Sequence, residues 1–367
     1  MDLAFDLASQ GLGRVSPNPA VGAVVVQTEA IVGQGFHTWA GVKHAEALAL
    51  EQAGSRAQGA DLYVTLEPCS HQGRTPPCAD AIIAAGVRRV VAAAEDPNPK
   101  VRGQGFAKLR QAGISVEIAK EYESRAETLN QPFCHYMRTG RPLVTVKAAL
   151  TLDGKIAAPE DSQPGRSPGW ITSEVARAHV QTLRHRADAI LTGIGTLLAD
   201  DCLLTDRTGE ERSRPLLRIV LDSLLRTPVE SKMVSSCRSD VMLVTTSAAS
   251  PDRRKRFEAK GVRVEVLEGA DGRVDLQAVV ALLGRENLQS LMVEAGSRVN
   301  WSALESGVAD KIYFYYAPKI LGGIQSLAVA GGSGRKRRAD AIQFRDLQLH
   351  SITATEFAVE AWVERPY

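Results

Sequence analysis

Two consecutive α/β domains are what this sequence predicts, on three observations. The chain has 367 residues, beyond the size at which a single hydrophobic core stops growing. Short β-rich runs alternate with helical periodicities along most of its length, the pattern of α/β domains with largely parallel sheets. Thr139-Gly140-Arg141-Pro142 breaks a helical pattern just before a new apolar strand, which sets the domains at residues 1–141 and 142–367.

The first half opens with an amphipathic helix over 2–12, stopped by Gly11 and Gly13, and Ser16-Pro17-Asn18-Pro19 then forbids regular structure. Strands follow at 21–27 and 30–36, then a helix over 44–53 with Gly54 as its stop. The order repeats as strand 62–66, helix 78–85 ended by Gly86, strand 90–94, helix 105–112 and strand 114–118. A polar helix over 121–138 closes the domain. The second half reads as strands near 143–150, 188–192, 217–222, 241–245, 262–267 and 289–294, with helices near 173–185, 251–260, 275–284 and 297–305. Its tail, at 311–316, 343–352 and 356–364, reads as antiparallel strands. There is no internal repeat, and the one biased stretch is the Gly- and Arg-rich segment 331–338.

Hydrophobic residues make up 44% and charged residues 23%, the composition of a soluble globular protein and not of a disordered or fibrous one. Lys+Arg total 44 against 42 Asp+Glu, a net charge of +2, so no global field draws the chain to nucleic acid or membrane. The start lacks a basic segment and no apolar run reaches 18 residues, so the expected setting is cytoplasmic. Five cysteines over this length do not form a secreted disulfide framework, and reduced thiols free for metal ligation are expected.

The chemistry-bearing pattern is His44-Ala45-Glu46 at one helix start, with Pro68-Cys69 and Cys78 at the next. One imidazole and two thiolates are three zinc ligands with the fourth position open, the catalytic and not the structural arrangement. Residues two apart do not share a helix face, so His44 takes the metal while Glu46 takes protons. Zinc lowers the pKa of bound water from 15.7 to about 7–9. Glu46 accepts that proton and returns protons to the ring nitrogen and the departing amine, the work of the non-ligand Glu in zinc deaminases. Helix starts beneath Cys69 and Cys78 favour their thiolates. Where the common deaminase signature has two residues between its cysteines, eight intervene here, Ser70 to Pro77.

With that spacing, Thr65-Leu66-Glu67-Pro68-Cys69-Ser70-His71 and Gly73-Arg74-Thr75-Pro76-Pro77-Cys78 resemble the bacterial bifunctional riboflavin-biosynthesis deaminase/reductase family. Ser16-Pro17-Asn18-Pro19, Val21-Gly22, Gly35-Phe36-His37 and Asp96-Pro97-Asn98-Pro99 are similar to its amino-terminal half. Val146-Lys147, Leu152-Asp153-Gly154, Trp170-Ile171-Thr172-Ser173, Leu198-Ala199-Asp200-Asp201, Leu204-Thr205-x-Arg207 and Val293-Glu294-Ala295-Gly296 are similar to its second half. The resemblance implies a cytidine-deaminase-like domain followed by a dihydrofolate-reductase-like domain. It also implies a small pyrimidine ribotide substrate, with zinc and NADPH as cofactors, and a homo-oligomer. The expected reactions are hydrolytic deamination of 2,5-diamino-6-(5-phosphoribosylamino)pyrimidin-4(3H)-one, then reduction of the ribosyl group to give 5-amino-6-(5-phosphoribitylamino)uracil.

The resemblance puts Asn18, His37, Asp96 and Asn98 around the substrate of the first domain, with Arg74 and Thr75 toward its phosphate. In the second domain Gly193-Ile194-Gly195 follows a strand, but Leu198 stands where a Rossmann fingerprint needs its third small residue. A reductase-type fold binds NADPH without that fingerprint. Family carry-over places cofactor contacts at Leu150, Trp170, Thr196, Asp200, Ser223 and the helix start Gly296, Ser297, Arg298. It places substrate contacts at Arg184, Leu204, Arg207 and Glu294. Lys147, within an apolar strand, and Asp200, in a turn, are charges near buried surface expected to orient substrate and cofactor; an ion pair between them is the structural alternative. Where the family has a Ser two residues before Trp170 this chain has Pro168, with Ser167 as the nearest substrate hydroxyl, and Ala295 replaces a Gly.

Two rival readings keep the same zinc motif. A nucleic-acid base deaminase with an accessory domain would draw on the basic runs 253–256 and 335–338, which read more simply as solvated surface. A non-catalytic zinc module would need a fourth protein ligand and no use for Glu46.

Overall fold

The computed structural model describes residues 1–38, 43–72, 76–161 and 169–364. Among these the chain divides into two compact units, Met1–Gly140 with Glu211–Arg214, and Arg141–Glu210 with Pro215–Tyr367.

In the first unit, α1 (Asp2–Ser9) precedes β1 (Gly22–Gln27) and β2 (Ala30–Phe36), which form an antiparallel hairpin. α2 (Ala45–Ala53), β3 (Asp61–Val64), α3 (Cys78–Ala84), β4 (Arg89–Ala92), α4 (Gln104–Gln111) and β5 (Ser115–Ile118) follow. The sheet order is β2-β1-β3-β4-β5. The sheet is mixed, not largely parallel as the sequence predicts. β3, β4 and β5 are parallel, but β1 is antiparallel to both neighbours. The hairpin turn uses Thr28 and Glu29, both at positive φ, without the Asn-Gly signal that would have announced it.

β2 seats the helix that carries the motif. A Cβ at Gly33 would lie 2.0 Å from the Ala49 carbonyl oxygen, and one at Gly35 2.6 Å from that of Ala45. Only glycine lets α2 settle this closely, and Ala45, Ala49 and Ala53 bury against the sheet as a result. The start of α2 is thereby fixed relative to the strand ends.

The single closing helix expected over 121–138 is two helices, α5 (Glu123–Leu129) and α6 (Gln131–Thr139), broken at Asn130. Pro132 sits in the first turn of α6, where its missing N–H costs nothing. The buried Asn130 amide accepts the Ala20 N–H at 2.7 Å and donates to the Ala20 carbonyl at 3.0 Å.

The second unit contains β6 (Leu143–Thr151), β7 (Lys155–Ala157), α7 (Glu174–Arg186), β8 (Ala189–Gly193), α8 (Ile194–Asp200), β9 (Leu217–Leu221), α9 (Lys232–Ser235) and β10 (Val241–Thr245). It continues with α10 (Pro251–Glu258), β11 (Arg263–Val266), α11 (Leu276–Arg285), β12 (Ser290–Val293), α12 (Ser297–Glu305), β13 (Lys311–Ala317), β14 (Leu327–Ala328), β15 (Phe344–Ser351) and β16 (Phe357–Val363). Nine strands form one sheet, ordered β11-β10-β9-β8-β12-β6-β13-β16-β15, and β14 pairs with β7 apart from it. β13 joins the sheet parallel to β6 and pairs antiparallel with β16, which pairs antiparallel with β15, so the three tail strands are antiparallel to one another in turn, as expected.

Side chains of β8, β9 and β10 alternate between two cores. Leu191, Ile219 and Met242 meet α11 and α12, whereas Ile190, Val220 and Leu243 meet α8, α9 and α10. Burial on both faces explains why these strands read as continuous apolar runs. β6, β8, β9, β10, β11, β12 and β13 run parallel, so their carboxyl ends share one edge, where α/β sheets bind ligands. Among the described residues no helix is long and apolar enough to cross a membrane.

Candidate active sites

His44 is the N-cap of α2 with extended backbone, and Cys78 is the first residue of α3. Cys69 does not itself open a helix. It lies in the loop before α3, held because the Cys78 N–H donates to its sulfur at 3.3 Å and the Ala79 N–H to its carbonyl at 3.0 Å. His44 Nδ1 is 3.6 Å from Cys69 Sγ and 3.2 Å from Cys78 Sγ, and the three ligand atoms lie within 4.8 Å of one another. Tetrahedral zinc with Zn–N of about 2.1 Å and Zn–S of about 2.3 Å requires N···S separations of about 3.6 Å. The donor set fits that ion in type and spacing. Hydrogen bonding from Cys78, then from His44, holds the Cys69 thiol far below its ordinary range, whereas the same bond to Cys69, burial and the Glu46 charge drive Cys78 upward.

Glu46, in the first turn of α2, is 3% exposed, and its Oε2 has no hydrogen-bond partner. Burial first, and the neighbouring Cys69 charge second, push its carboxyl up to about 7. A carboxyl near neutrality beside a cluster of three metal-type donors is the arrangement a proton shuttle needs.

His37 Nδ1 donates to the Lys43 carbonyl and Nε2 accepts from Asn18 Nδ2, both at 2.9 Å. Burial lowers its pKa, so the ring is neutral with its tautomer fixed. His37 and His44 rings meet edge to face at 5.0 Å. Asp96 is buried, its carboxyl pushed up to about 6 by desolvation with Cys69 and Glu67 as nearby charges, and it accepts the Asn98 N–H at 2.8 Å. Four of the first domain's expected substrate residues therefore gather in two pairs, Asn18 with His37 and Asp96 with Asn98. Arg74 and Thr75 lie outside the described residues, as do Ser167 and Pro168 in the second unit.

In the second unit Lys147 is paired, but not with Asp200. Its ammonium lies 3.1 Å from Glu294, and Arg184 grips both oxygens of that carboxylate at 2.8 and 3.1 Å while donating to the Thr205 carbonyl. Desolvation opposes ionisation of Glu294, but the two cations outweigh it and hold its carboxyl down to about 2. Leu204, at φ 51°, turns the chain that presents Thr205, and the exposed Arg207 is tied through its N–H to Gln181. Asp200 is the last residue of α8 rather than part of a turn, and it is exposed. Partial desolvation and the Asp161 charge raise its pKa.

The expected cofactor contacts follow the carboxyl ends of adjacent strands: Leu150 in β6, Thr196 and Asp200 after β8, Ser223 after β9, and Gly296, Ser297 and Arg298 after β12. Leu150 is fully buried in the core, which leaves only its backbone for a ligand. Trp170 is 68% exposed with the Arg177 guanidinium over its ring at 4.8 Å. Gly193 and Gly296 cap α8 and α12 without a side chain, and a Cβ on Gly296 would lie 3.5 Å from Thr196 Oγ1. Two adjoining helix starts whose N-cap glycines offer no side-chain cap suit a pyrophosphate, so these residues fit a dinucleotide.

The chain aligns with family models over most of its length. Residues 142–356 match the RibD C-terminal domain, and residues 1–94 match the cytidine and deoxycytidylate deaminase zinc-binding region. It is 41% identical over 345 residues to the riboflavin biosynthesis protein RibD of Actinobacillus pleuropneumoniae, covering 94% of this chain and 90% of that one. The chain belongs to the RibD family. RibD of Acinetobacter baumannii superposes with a TM-score of 0.87 at 35% identity, covering 99% of this chain and 98% of that one. The Thermotoga maritima diaminohydroxyphosphoribosylaminopyrimidine deaminase/5-amino-6-(5-phosphoribosylamino)uracil reductase gives a TM-score of 0.83 at 34% identity, covering 99% and 97%. As a RibD protein the chain joins a cytidine-deaminase-like domain to a dihydrofolate-reductase-like domain, a deaminase and reductase of riboflavin biosynthesis.

Sequence reasoning missed Glu67, whose buried carboxylate accepts four backbone N–H groups. Its signal was a charge before Pro68 at the end of an apolar strand. The basic run 253–256 is not simply solvated either: Arg253 donates to the Leu225 and Thr227 carbonyls, and Arg254 to those of Ser247 and Ala249. In the run 335–338, Arg335 lies over the Trp301 ring and Arg337 pairs with Asp340.

Proposed function

We propose that the first unit hydrolyses the 2-amino group of 2,5-diamino-6-(5-phosphoribosylamino)pyrimidin-4(3H)-one with zinc held by His44, Cys69 and Cys78. The second unit then reduces the ribosyl group with NADPH to give 5-amino-6-(5-phosphoribitylamino)uracil. The observation that carries the reading is Glu46: a buried carboxyl with an unpartnered oxygen, next to a three-donor cluster with the spacing of a tetrahedral metal. A structural zinc site has four protein ligands and no use for such a group.

Zinc, when bound, supplies the Lewis acidity that makes water nucleophilic near neutral pH. Glu46 takes one proton from the attacking water and gives it to the ring nitrogen, then takes the water's second proton and gives it to the leaving amine. Asp96 and Asn98 face the pyrimidine as acceptor and amide, and neutral His37, locked by Lys43 and Asn18, contributes a fixed edge to the pocket.

NADPH, when bound, would supply the hydride, and the helix starts at Gly193 and Gly296 would hold its phosphates. Lys147, oriented by Glu294, donates toward the ribose oxygen as the ring opens, while Arg184 completes the triad and Arg207 reaches the phosphate. Asp200 orients cofactor and substrate from the end of α8.

The test is to supply the diaminopyrimidine ribotide with and without NADPH and to follow ammonia and NADPH separately. Ammonia is expected in both mixtures, with NADPH oxidised only after the deaminated ribotide forms. NADPH oxidation without prior ammonia release would reverse the order and contradict the assignment.

A further inference from the structure

α4 begins without a local cap. Its N-cap is Gly103, at φ 73°, which has no side chain to receive the first-turn N–H groups. The cap comes from more than thirty residues away in sequence. Glu67 Oε1 accepts the N–H of Gly105 at 2.9 Å and of Phe106 at 3.3 Å, and Oε2 accepts the N–H of Gly103 at 2.9 Å. The same Oε2 accepts the N–H of Asp96 at 3.2 Å.

Glu67 is itself held rigidly. Its own N–H donates to the Ala94 carbonyl at 3.0 Å, so the residue is fixed to the exit of β4. Pro68 follows with its restricted φ, and Cys69 comes next. A Cβ on Gly105 would lie 1.9 Å from the Pro68 carbonyl oxygen, so the start of α4 presses directly on this corner. One buried carboxylate thus connects the ligand-bearing corner to the loop that carries Asp96 and Asn98.

We infer that Glu67 is a positioning residue for deamination: it sets the Asp96 side chain against the Cys69 corner by tying both to the start of α4. Asp96 then accepts the Asn98 N–H, which carries the constraint to the second substrate-facing side chain. This rests on the deaminase reading of the first unit, and its failure is distinguishable from the failure of that reading, which would show as no ammonia release by the unaltered enzyme.

The experiment is a double-substitution cycle in the full-length enzyme, with Glu67→Gln and Asp96→Asn alone and together. The readouts are kcat/KM for ammonia release, zinc content, and the visible thiolate spectrum of the cobalt-substituted protein. Glu67→Gln replaces one acceptor oxygen by a donor, and a misplacement of about 1 Å can cost about 100-fold. With Asp96 intact, the expected result is a loss of about ten- to 100-fold, with zinc content and cobalt spectrum kept. Added to the Asp96→Asn variant, the same change should cost less than about three-fold. Glu67→Asp, which keeps the charge and withdraws it by one methylene, is the milder second variant and should show the same pattern at smaller size. Equal losses in the presence and absence of Asp96→Asn, unchanged activity, or loss of zinc would each overturn the inference.

Discussion

Replacing Glu294 by Gln leaves Lys147 and Arg184 as two buried cations with no anion between them. Their ion-pair distances to Glu294 are 3.1 and 2.8 Å, each worth about 5–6 kcal/mol at an effective dielectric of about 20 before desolvation is charged against it. The net is smaller. A carboxyl brought from its ordinary 4.5 down to about 2 corresponds to about 3.5 kcal/mol at about 1.4 kcal/mol per pH unit, and breaking buried pairs elsewhere costs about 3–5 kcal/mol. Because the folded-state pKa is depressed, this stabilisation is complete well above 4.5 and is lost as pH falls from there through 2. At pH 4 about 0.8 kcal/mol of it is already gone. The assay is urea unfolding of enzyme and variant at pH 7 and pH 4, read by hydrogen exchange in peptides of β6, β12 and α7. The expected gap of about 3.5 kcal/mol at pH 7 narrows at pH 4. A gap that stays constant or widens as pH falls would refute the triad as the source of the stability.

Three further outcomes follow from the same geometry. Chelation, or Cys78→Ser, should remove one zinc per chain together with ammonia release and leave reduction of supplied deaminated ribotide intact, as metal analysis and the two activity assays would show. Asn130→Ala leaves the buried Ala20 N–H and carbonyl unpaired and should destabilise the first unit by about 2–4 kcal/mol in urea unfolding. Asp200→Asn should slow NADPH oxidation without touching ammonia release.

Local chemistry made much of this protein legible from its sequence. Gly and Pro punctuation placed the alternating elements, and the His44, Cys69 and Cys78 motif came together with the spacing of a metal site. What escaped was either a local element without its usual signal residues or a contact between residues far apart in the chain. The antiparallel direction of β1 depends on a hairpin turn made by Thr28 and Glu29, residues with no intrinsic turn signal. Lys147 was recognisable as a costly buried charge, but its partner, Glu294, lies 147 residues away, across two strands paired in the sheet. α8 escaped because seven residues opened by Gly193 look like a turn. Glu67 escaped because a carboxylate that caps a distant helix leaves no periodic trace near itself.

In the proposed mechanism Glu46 carries the protons for a zinc-dependent deamination that is separable from the reduction. Glu46→Gln in the intact enzyme, assayed for zinc, for ammonia from the diaminopyrimidine ribotide, and for NADPH oxidation with the deaminated ribotide, tests it most directly. Zinc near one per chain, no ammonia release and undiminished NADPH oxidation are predicted. Ammonia release that survives the substitution would contradict it.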